Sequence, residues 1–543
     1  LPLPHPWKAQ DLSGTRGGIS VKARHLFQVL GLLDEDLIDE AWTYAPTVKK
    51  ASLFRRKPWL RGLSVAACCV LVCTFGFFYL VTGGFRGMGS SAPKTSEGAA
   101  PEIAADEADS GFGMDFLSYA GPVLPLTTLE HNSLLTAQRS ITWDFAPGTN
   151  EDGTPRQWGA QVTDRYTLTN PTDGGISVTA LYPLVGSLQG LGSISPEITV
   201  NGSTAEAALY AGGYAGTFGD ANDADGSTNN LAGPYSWEDY AALVSDERYR
   251  ADALGSGPEL NTPVTVYRFS HFSAPHETYQ AATQAVEFTI DEGSTVILSY
   301  GFNGLTRDPE TGWRQYDYFV PDGIQKESEQ KLLVVLGEDL SGYTLQGYAT
   351  GAYETPIDGV SCTVTREETT LNTVLAELCR TELAQLEDRS PWPQLLSLYE
   401  KAAAELLTVY GPLSSNPTDR YSDGRLDDLL GEALLMDRVL YLAVPVAVPA
   451  GSSTELSVTF WKEPSYDFGG SGTGREGLQG FDLLTTAGSA LDFTGQTTAI
   501  VHADGVEILG QDLGSSLEDG PGSVSLDLAK DMYFLEIHFR ETS

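Results

Sequence analysis

Hydrophobic and polar positions follow three different rhythms along this chain. The first is an unbroken apolar run. No charged residue occurs between Arg61 and Arg86, and the 24 residues between them include Leu63, Val65, Val70, Leu71, Val72, Phe75, Phe77, Phe78, Tyr79, Leu80 and Val81. As a helix this run is roughly 36 Å long, enough to cross a hydrocarbon core of about 30 Å. It predicts one transmembrane helix over residues 60–85. A buried core helix and a secretory signal peptide compete with that reading. The run is longer than a signal core, however, and some sixty residues precede it.

The second rhythm is helical. Residues 21–45 read as two short helices. The first carries Leu26, Phe27 and Leu30 on one face and stops at Gly31. The second opens at Asp34 as N-cap, with Glu35 and Asp36 in its first turn, and Leu33 and Ile38 stand at staple spacing. Leu37, Ile38, Ala41 and Trp42 form its apolar face, and Pro46 ends it. Further along, residues 237–254 read as one helix. Residues 370–386 read as another, with Leu371, Val374, Leu375, Leu378 and Leu383 on a stripe. Ser390 and Pro391 look like a cap and first-turn proline for a helix running to about 410, and residues 423–440 give a third.

The third rhythm is alternation with period two. Residues 162–169 alternate, 170–175 turn through Asn170, Pro171, Asp173 and Gly174, and 176–182 return. Strands are also predicted at 264–269, 285–290, 295–302, 441–448, 454–461 and 532–539. Residues 290–300 echo residues 448–460, each reading as strand, tight glycine turn, strand. Both are read as hairpins of the kind seen in bacterial immunoglobulin-like sandwiches. The expected fold class is therefore mixed and mainly β. It comprises a short cytoplasmic helical tail, one transmembrane helix, and β-sandwich-like extracytoplasmic modules with a helical block between them. The expected divisions are 1–20 untranslated or disordered, 21–59 tail, 60–85 span, 86–112 flexible stalk, 113–365 β-rich module, 366–440 helical block and 441–543 C-terminal β module.

Charge sharpens this topology. The chain of 543 residues holds 33 basic and 72 acidic residues, a net −39. Residues 1–85 hold ten basic and six acidic, a net +4; residues 86–543 hold 23 and 66, a net −43. So acidic an outer region repels phosphate backbones, which argues against nucleic acid as a partner. Lys49, Lys50, Arg55, Arg56, Lys57 and Arg61 precede the span, while Arg86 and Lys94 follow it. Positive-inside topology then places the N-terminus in the cytoplasm and residues 86–543 outside. Residues 1–20 look untranslated: Arg16, Gly17 and Gly18 can be encoded by a purine-rich ribosome-binding run just before Val21, whose GTG codon can start translation.

Candidate chemistry is sparse. Cys68, Cys69 and Cys73 lie in the span as small apolar residues. Cys362 and Cys379 lie outside, where either a disulfide or free thiols fit. No metalloprotease, nucleophile-elbow, phosphate-loop or dinucleotide motif is present. Ser91 and Lys94 match a penicillin-binding spacing but sit in the stalk without partner motifs. His271 and His276 flank a proline and are read as surface loop residues. Asp220, Asn222, Asp223 and Asp225 precede Gly226, but an EF-hand register would put Ala221 and Ala232 where carboxylates are needed. Residues 469–477 are glycine-rich but have no following Lys-Ser/Thr pair. No cofactor and no metal is implied.

The stretch Lys22, Ala23, Arg24, His25, Leu26, Phe27 through Glu40, Ala41, Trp42, Thr43, Tyr44, Ala45, Pro46, then a basic run and a Cys-containing span, resembles the N-terminal part of Firmicutes-type single-pass membrane proteins. Some of these are similar to membrane-tethered anti-sigma factors. The resemblance covers about 65 residues and implies a bacterial plasma membrane protein. It departs from zinc-containing anti-sigma domains, because His25 has no cytoplasmic Cys beside it. Independently, so short a tail cannot bury its own apolar stripes. Leu26, Phe27, Leu30, Leu37, Ile38 and Trp42 therefore need a cytoplasmic protein, a second copy or the bilayer surface. Three functions fit the sequence: a membrane-anchored extracytoplasmic binding or structural module of the cell envelope, a transmembrane signalling protein with an anti-sigma-like tail, or an extracellular hydrolase. The partners expected are the lipid bilayer, a cytoplasmic protein for the tail, and an extracytoplasmic ligand of unstated chemistry.

Overall fold

The computed structural model describes residues 119–540, apart from 147, 150–154, 157, 215–216, 221–228, 233, 235, 275–280, 322–330, 387–391, 416–423, 469–474, 476 and 515–522. The expected tail, span and stalk lie outside the described residues. Among the described residues no helix is long and apolar enough to cross a membrane.

Strands dominate. The longer ones are β1 (Thr136–Asp144), β2 (Ala160–Asn170), β3 (Ile176–Gly186), β4 (Pro263–Ser273), β5 (Ala281–Thr289), β6 (Thr295–Tyr300), β7 (Trp313–Pro321) and β8 (Lys331–Gly337). There follow β9 (Ser361–Thr370), β10 (Arg438–Val448), β11 (Ser452–Lys462), β12 (Leu478–Leu484), β13 (Asp492–Val501), β14 (Val506–Gln511) and β15 (Met532–Phe539). The main helices are α1 (Trp237–Ser245), α2 (Glu247–Leu254), α3 (Leu371–Gln385), α4 (Leu395–Glu405) and α5 (Leu426–Leu435).

A seven-stranded sheet runs Ser523–Leu526, β13, β1, β2, β11, Glu197–Val200, Ser203–Thr204. It shares a core with a four-stranded sheet ordered Thr127–Thr128, β3, β10, Ala208–Ala211. Alternation supplies the inward rows: Ile141 and Trp143, Val162 and Tyr166, and Leu456, Val458 and Phe460 from the first sheet; Val178, Ala180 and Tyr182, and Leu440, Leu442 and Val444 from the second. A third sheet, Tyr466–Asp467, β12, β15, β14, adds Phe481, Leu483, Leu535 and Ile537 to the same core. Each such large side chain contributes on the order of 1.5–3 kcal/mol when fully buried. The opposite face of β3 and β10 is covered by α1 and α2, where Leu181, Val439 and Tyr441 meet Tyr240, Val244 and Ala253. Burial on both faces is why β10 reads as a nearly continuous apolar run.

This interior also holds a charged pair. Arg139 and Asp164 sit on the inward rows of β1 and β2, and both side chains are fully buried. Arg139 Nη2 donates to Asp164 Oδ2 at 2.7 Å and Nη1 to the Leu484 carbonyl at 2.6 Å. The hydroxyls of Tyr166 and Tyr182 also donate to Asp164 Oδ2, at 2.7 and 3.0 Å. The pair is tolerable there because these extra bonds replace the lost water.

Residues 263–370 build a second pair of sheets. One is ordered β6, β8, β4, β9; the other Gly304–Asp308, β7, β5, Thr344–Tyr348, Pro356–Ile357. Tyr267, Phe269, Ile297, Leu333 and Val335 of the first face Val286, Phe288, Tyr316, Tyr318 and Val320 of the second. The back of β4 and β8, through Val264, Val266, Leu332 and Val334, joins the core that holds α3, α4 and α5.

Several expectations change. The segments 290–295 and 448–452 are not hairpin turns. β5 and β6 belong to different sheets, as do β10 and β11, and the 170–176 turn likewise passes from β2 in one sheet to β3 in the other. Each is an arch between facing sheets. The sequence signal is the same as for a hairpin, because alternation and a glycine turn do not say which neighbour a strand pairs with. The helix expected at 237–254 breaks at Asp246, whose side chain accepts from Arg248 N and caps α2. The helix expected to reach 440 ends at Leu435, because Arg438, Val439 and Leu440 pair with Gly186, Val185 and Leu184. The sheets also cut across the expected division at 365 and 440. β10 pairs with β3, and β11 with β2, so segments on either side of the helical block build the same sheets.

Candidate functional site

Pairing register sets what the outer face of the five-stranded sheet displays. Across β5 and β7, Thr283 stands opposite Phe319, Ala285 opposite Asp317, and Glu287 opposite Gln315. On the far side of β5, Thr283 stands opposite Tyr348 and Ala285 opposite Gln346. On the far side of β7, Asp317 stands opposite Gly304 and Gln315 opposite Thr306. Directly opposed residues share a face, so these side chains form one surface pointing away from the Tyr316–Tyr318 core. The face is about 14 Å wide, four strands at ~4.8 Å spacing.

Asp317 is its centre. The Tyr353 hydroxyl donates to Asp317 Oδ2 from the loop that follows Thr344–Tyr348. Burial pushes the Asp317 carboxyl above its ordinary range, with the Tyr353 bond pulling against it. Burial and this same bond push the Tyr353 hydroxyl up. Gly304 makes room for the carboxylate, since a Cβ there would fall 2.4 Å from Asp317 Oδ2. Tyr353 holds φ +54°, a left-handed conformation costly for a tyrosine. The loop is fixed by Ala349 N to Thr355 O, 2.9 Å, and Tyr353 N to Thr350 O, 3.3 Å. Its ring meets Tyr348 edge to face, with centroids 5.4 Å apart, and the Tyr348 hydroxyl donates to Glu287 Oε1 at 3.3 Å.

The loop roofs part of the surface. Thr283 is fully buried below it, and its hydroxyl has no hydrogen-bond partner among the described residues. Gln315 and Asp317 are nearly covered, while Phe319 at the rim is 54% exposed. Among the described residues no group of three or more His, Cys, Asp or Glu could hold a metal ion. This arrangement offers aromatic rings, two amides, two carboxylates and hydroxyls on a rigid sheet.

Other buried charge clusters are internal struts. Lys401 Nζ donates to the carbonyls of Ala211, Asp252, Ala253 and Gly255, tying α4 to α2. Arg438, wholly buried, lies 3.7 Å from Glu405, where α4 passes into a π-helical turn, Leu406–Tyr410. Asp482 accepts from the Tyr119 hydroxyl, and burial lifts its carboxyl to about 6. These groups meet backbone or each other in the interior.

The residues singled out from sequence are elsewhere. Leu26, Phe27, Leu30, Leu37, Ile38 and Trp42 lie outside the described residues, as do Ser91, Lys94 and His276. Asp220 ends a short strand, Thr217–Asp220, paired with Asn229–Ala232; Asn222, Asp223 and Asp225 lie outside the described residues. His271 is exposed at φ +54°, its Nδ1 2.9 Å from Ser270 Oγ. Arg475 of the glycine-rich segment stacks on Phe468, 5.2 Å from the ring centroid. Cys362 and Cys379 are free thiols, one beside Tyr318 in the second core and one buried on α3. The outer face was missed although Gln315, Tyr316, Asp317, Tyr318, Phe319 and Val320 alternate polar-out and apolar-in, with Phe319 the exception that marks the rim.

No family model matches the chain, and comparison with curated proteins finds no relative.

Proposed function

We propose that this protein is a membrane-anchored extracytoplasmic binding module of a bacterial cell envelope. Its two β-sandwich-like bodies present a recognition surface on the outer face of the second. The apolar run at 62–85 and the basic residues before it support the anchor and its orientation. The observation that carries the binding role is the cluster of Asp317, Gln315, Gln346, Tyr348, Tyr353 and Phe319 beneath and beside a loop held in a strained conformation. Binding residues concentrate on loops fixed to rigid scaffolds, and strained non-glycine backbone concentrates at such sites. Catalysis is the weaker reading, because the cluster has no nucleophile with an adjacent base.

The full chain, purified in detergent and immobilised, is to be incubated with isolated wall polymer, lipid vesicles and envelope protein fractions. Retention of one envelope fraction, reduced by Tyr348→Ala or Phe319→Ala, is expected. Equal retention of every fraction by the protein and both variants would remove the binding role from this face.

A further inference from the structure

An open sheet ends in strands whose outer backbone groups lack a neighbour, and proteins keep such edges short, bulged or covered. Among the described residues most edges here follow that rule. The end strands are two to six residues long, save one. β14 is interrupted by a bulge between Ile508 and Gly510, and the edge of β6 is covered where Ser299 N donates to the Gly424 carbonyl at 2.8 Å. The exception is β9, Ser361–Thr370. It is ten residues long, contains no proline, ends the sheet beside β4, and none of its residues is buried.

The register shows which way its backbone groups point. Pro263 stands opposite Thr370, so Thr262 stands opposite Leu371, and Leu371 N donates to the Thr262 carbonyl at 3.0 Å. Hydrogen-bonded and non-hydrogen-bonded pairs alternate along an antiparallel ladder. Thr369, Glu367, Thr365 and Thr363 therefore turn their N–H and C=O groups toward β4. Glu368, Arg366, Val364 and Cys362 turn theirs outward, and among the described residues no backbone hydrogen bond uses them. Side chains alternate as well. Cys362 and Val364 pack toward the second core, so Thr363, Thr365 and Glu367 lie on the opposite face. The charges along β9 are engaged with their own body: Arg366 with Asp339 and Glu368, Glu367 with Arg268. What the edge offers outward is a ladder of backbone donors and acceptors.

Symmetry decides how that ladder can meet its own kind. When two copies of one strand pair antiparallel about a two-fold axis normal to the sheet, one residue stands opposite itself. Arg366, Glu367 or Glu368 in that position would set like charges face to face. Val364 there pairs only residues 361–367. Thr365 there pairs residues 361–369. Val364 then faces Arg366 of the second copy, Thr363 faces Glu367, Cys362 faces Glu368, and no like charges are opposed. Every outward N–H of both copies meets an outward C=O. The two Thr365 side chains form the close, non-hydrogen-bonded pair, in which Thr–Thr contacts are favourable.

We infer that β9 is the edge through which two copies of this chain join, antiparallel and centred on Thr365, so that two four-stranded sheets become one. The joint lies apart from the surface given the binding role above and does not depend on that role. The net charge of −39 opposes association at low ionic strength, so the dimer should tighten as salt is raised. A basic peptide on the same edge would be weakened by salt instead.

The test uses the full chain in detergent, with molar mass from light scattering and disulfide cross-linking as readouts. A mass of two chains at high salt is expected. Thr365→Cys, gently oxidised, should link the two copies through the introduced thiols, because Cα atoms of a non-hydrogen-bonded pair lie about 4.5 Å apart, within the ~4.4–6.8 Å that a disulfide spans. Peptide mapping separates this link from any made by the native cysteines. Thr369→Cys, which would face Ser361 of the second copy, should not link to itself. Glu368→Pro removes an outward N–H and no ladder bond to β4, so it should keep the melting temperature and lose the dimer. If the proline variant melts lower, the cross-link alone decides. A single-chain mass at high salt without the link at position 365 overturns the inference, as does a dimer that a folded Glu368→Pro leaves intact. Capture of a basic peptide by a single-chain species, abolished by Glu368→Pro, would give the edge to another chain and overturn the second copy. None of these outcomes bears on retention of envelope fractions through Tyr348 or Phe319.

Discussion

The Asn170 amide at the end of β2 donates to the carbonyl of Val448 at the end of β10, at 3.1 Å, although 278 residues separate them. The same Nδ2 reaches the carbonyls of Gly174 at 2.7 Å and Pro449 at 3.2 Å, while Oδ1 accepts from Thr172 N and Oγ1. Gly451, at φ +57°, donates its N–H to the Thr172 carbonyl. One fully buried side chain thus holds two inter-sheet arches in stacked register.

Asn170→Ala should therefore cost about 1–3 kcal/mol, because it strands the buried Val448 carbonyl and the turn amide rather than deleting a single exposed bond. Urea unfolding checks it. A cost below about 0.5 kcal/mol would mean that the arches hold each other without the clamp.

Asp482 gives a pH signature. Its carboxyl is raised to about 6 from 3.8, first by burial. The folded state then holds a proton that the unfolded state has released. The stability this group contributes is present below pH 3.8 and is lost as pH rises through about 6. At neutral pH the deficit is roughly 3 kcal/mol by the usual conversion of pKa shift to free energy. Asp482→Asn keeps an acceptor for Tyr119, so it should raise the melting temperature at pH 7.5, and its advantage should shrink between pH 6 and pH 4. Melting curves of the two proteins across that range decide it. A variant less stable at every pH would show that the ionised carboxylate is favourable.

Arg139→Met should destabilise by about 3–5 kcal/mol by leaving Asp164 buried without its guanidinium. The double variant Arg139→Met with Asp164→Leu should recover a substantial part of that loss. Equilibrium unfolding in urea measures both. A double variant no better than the single one would assign the cost to packing around Tyr166 and Tyr182.

Reductant should leave the melting temperature of the β-rich region unchanged, because Cys362 and Cys379 are unpaired. Under native conditions a thiol reagent should modify Cys362, which is half-buried, before Cys379, whose burial raises its thiol far above the ordinary range. Peptide mapping by mass gives the order. Reaction of Cys379 first would place α3 at the surface.

Much of the fold was legible locally. β15 is the predicted 532–539 segment itself, and the stripe Leu371, Val374, Leu375 and Leu378 is the buried face of α3 behind the Thr370 cap. β8 was missed, because Leu332 to Leu336 form an unbroken apolar run, which has no period to read. Pairing was hidden too. The contrast between a hairpin at 448–452 and the arch found there depends on Val178 and Tyr166, residues nearly 300 positions away, and no local pattern names them. The candidate site depends in the same way on the register between β5 and β7, which sets Asp317 beside Ala285 rather than beside a large side chain.

The stacked arches also fix the order in which the molecule can be completed. β2 and β3 are made early, but the strands that pair with them, β11 and β10, come some 250 residues later (Gly186 to Arg438). At ~5–20 residues per second of synthesis, those edges stay unpaired for tens of seconds. In that time the nascent chain presents long, half-apolar strand edges, the surfaces most prone to pair with a wrong neighbour. The residues between are occupied meanwhile in building the second pair of sheets, whose strands lie close together in sequence and can close on their own. Synthesis of this chain thus favours a nested sequence, with the inner body finished first and the outer one sealed only once β10 and β11 have arrived and β12 to β15 have followed. A truncation anywhere before Lys462 would leave the first body open, however intact the second remained.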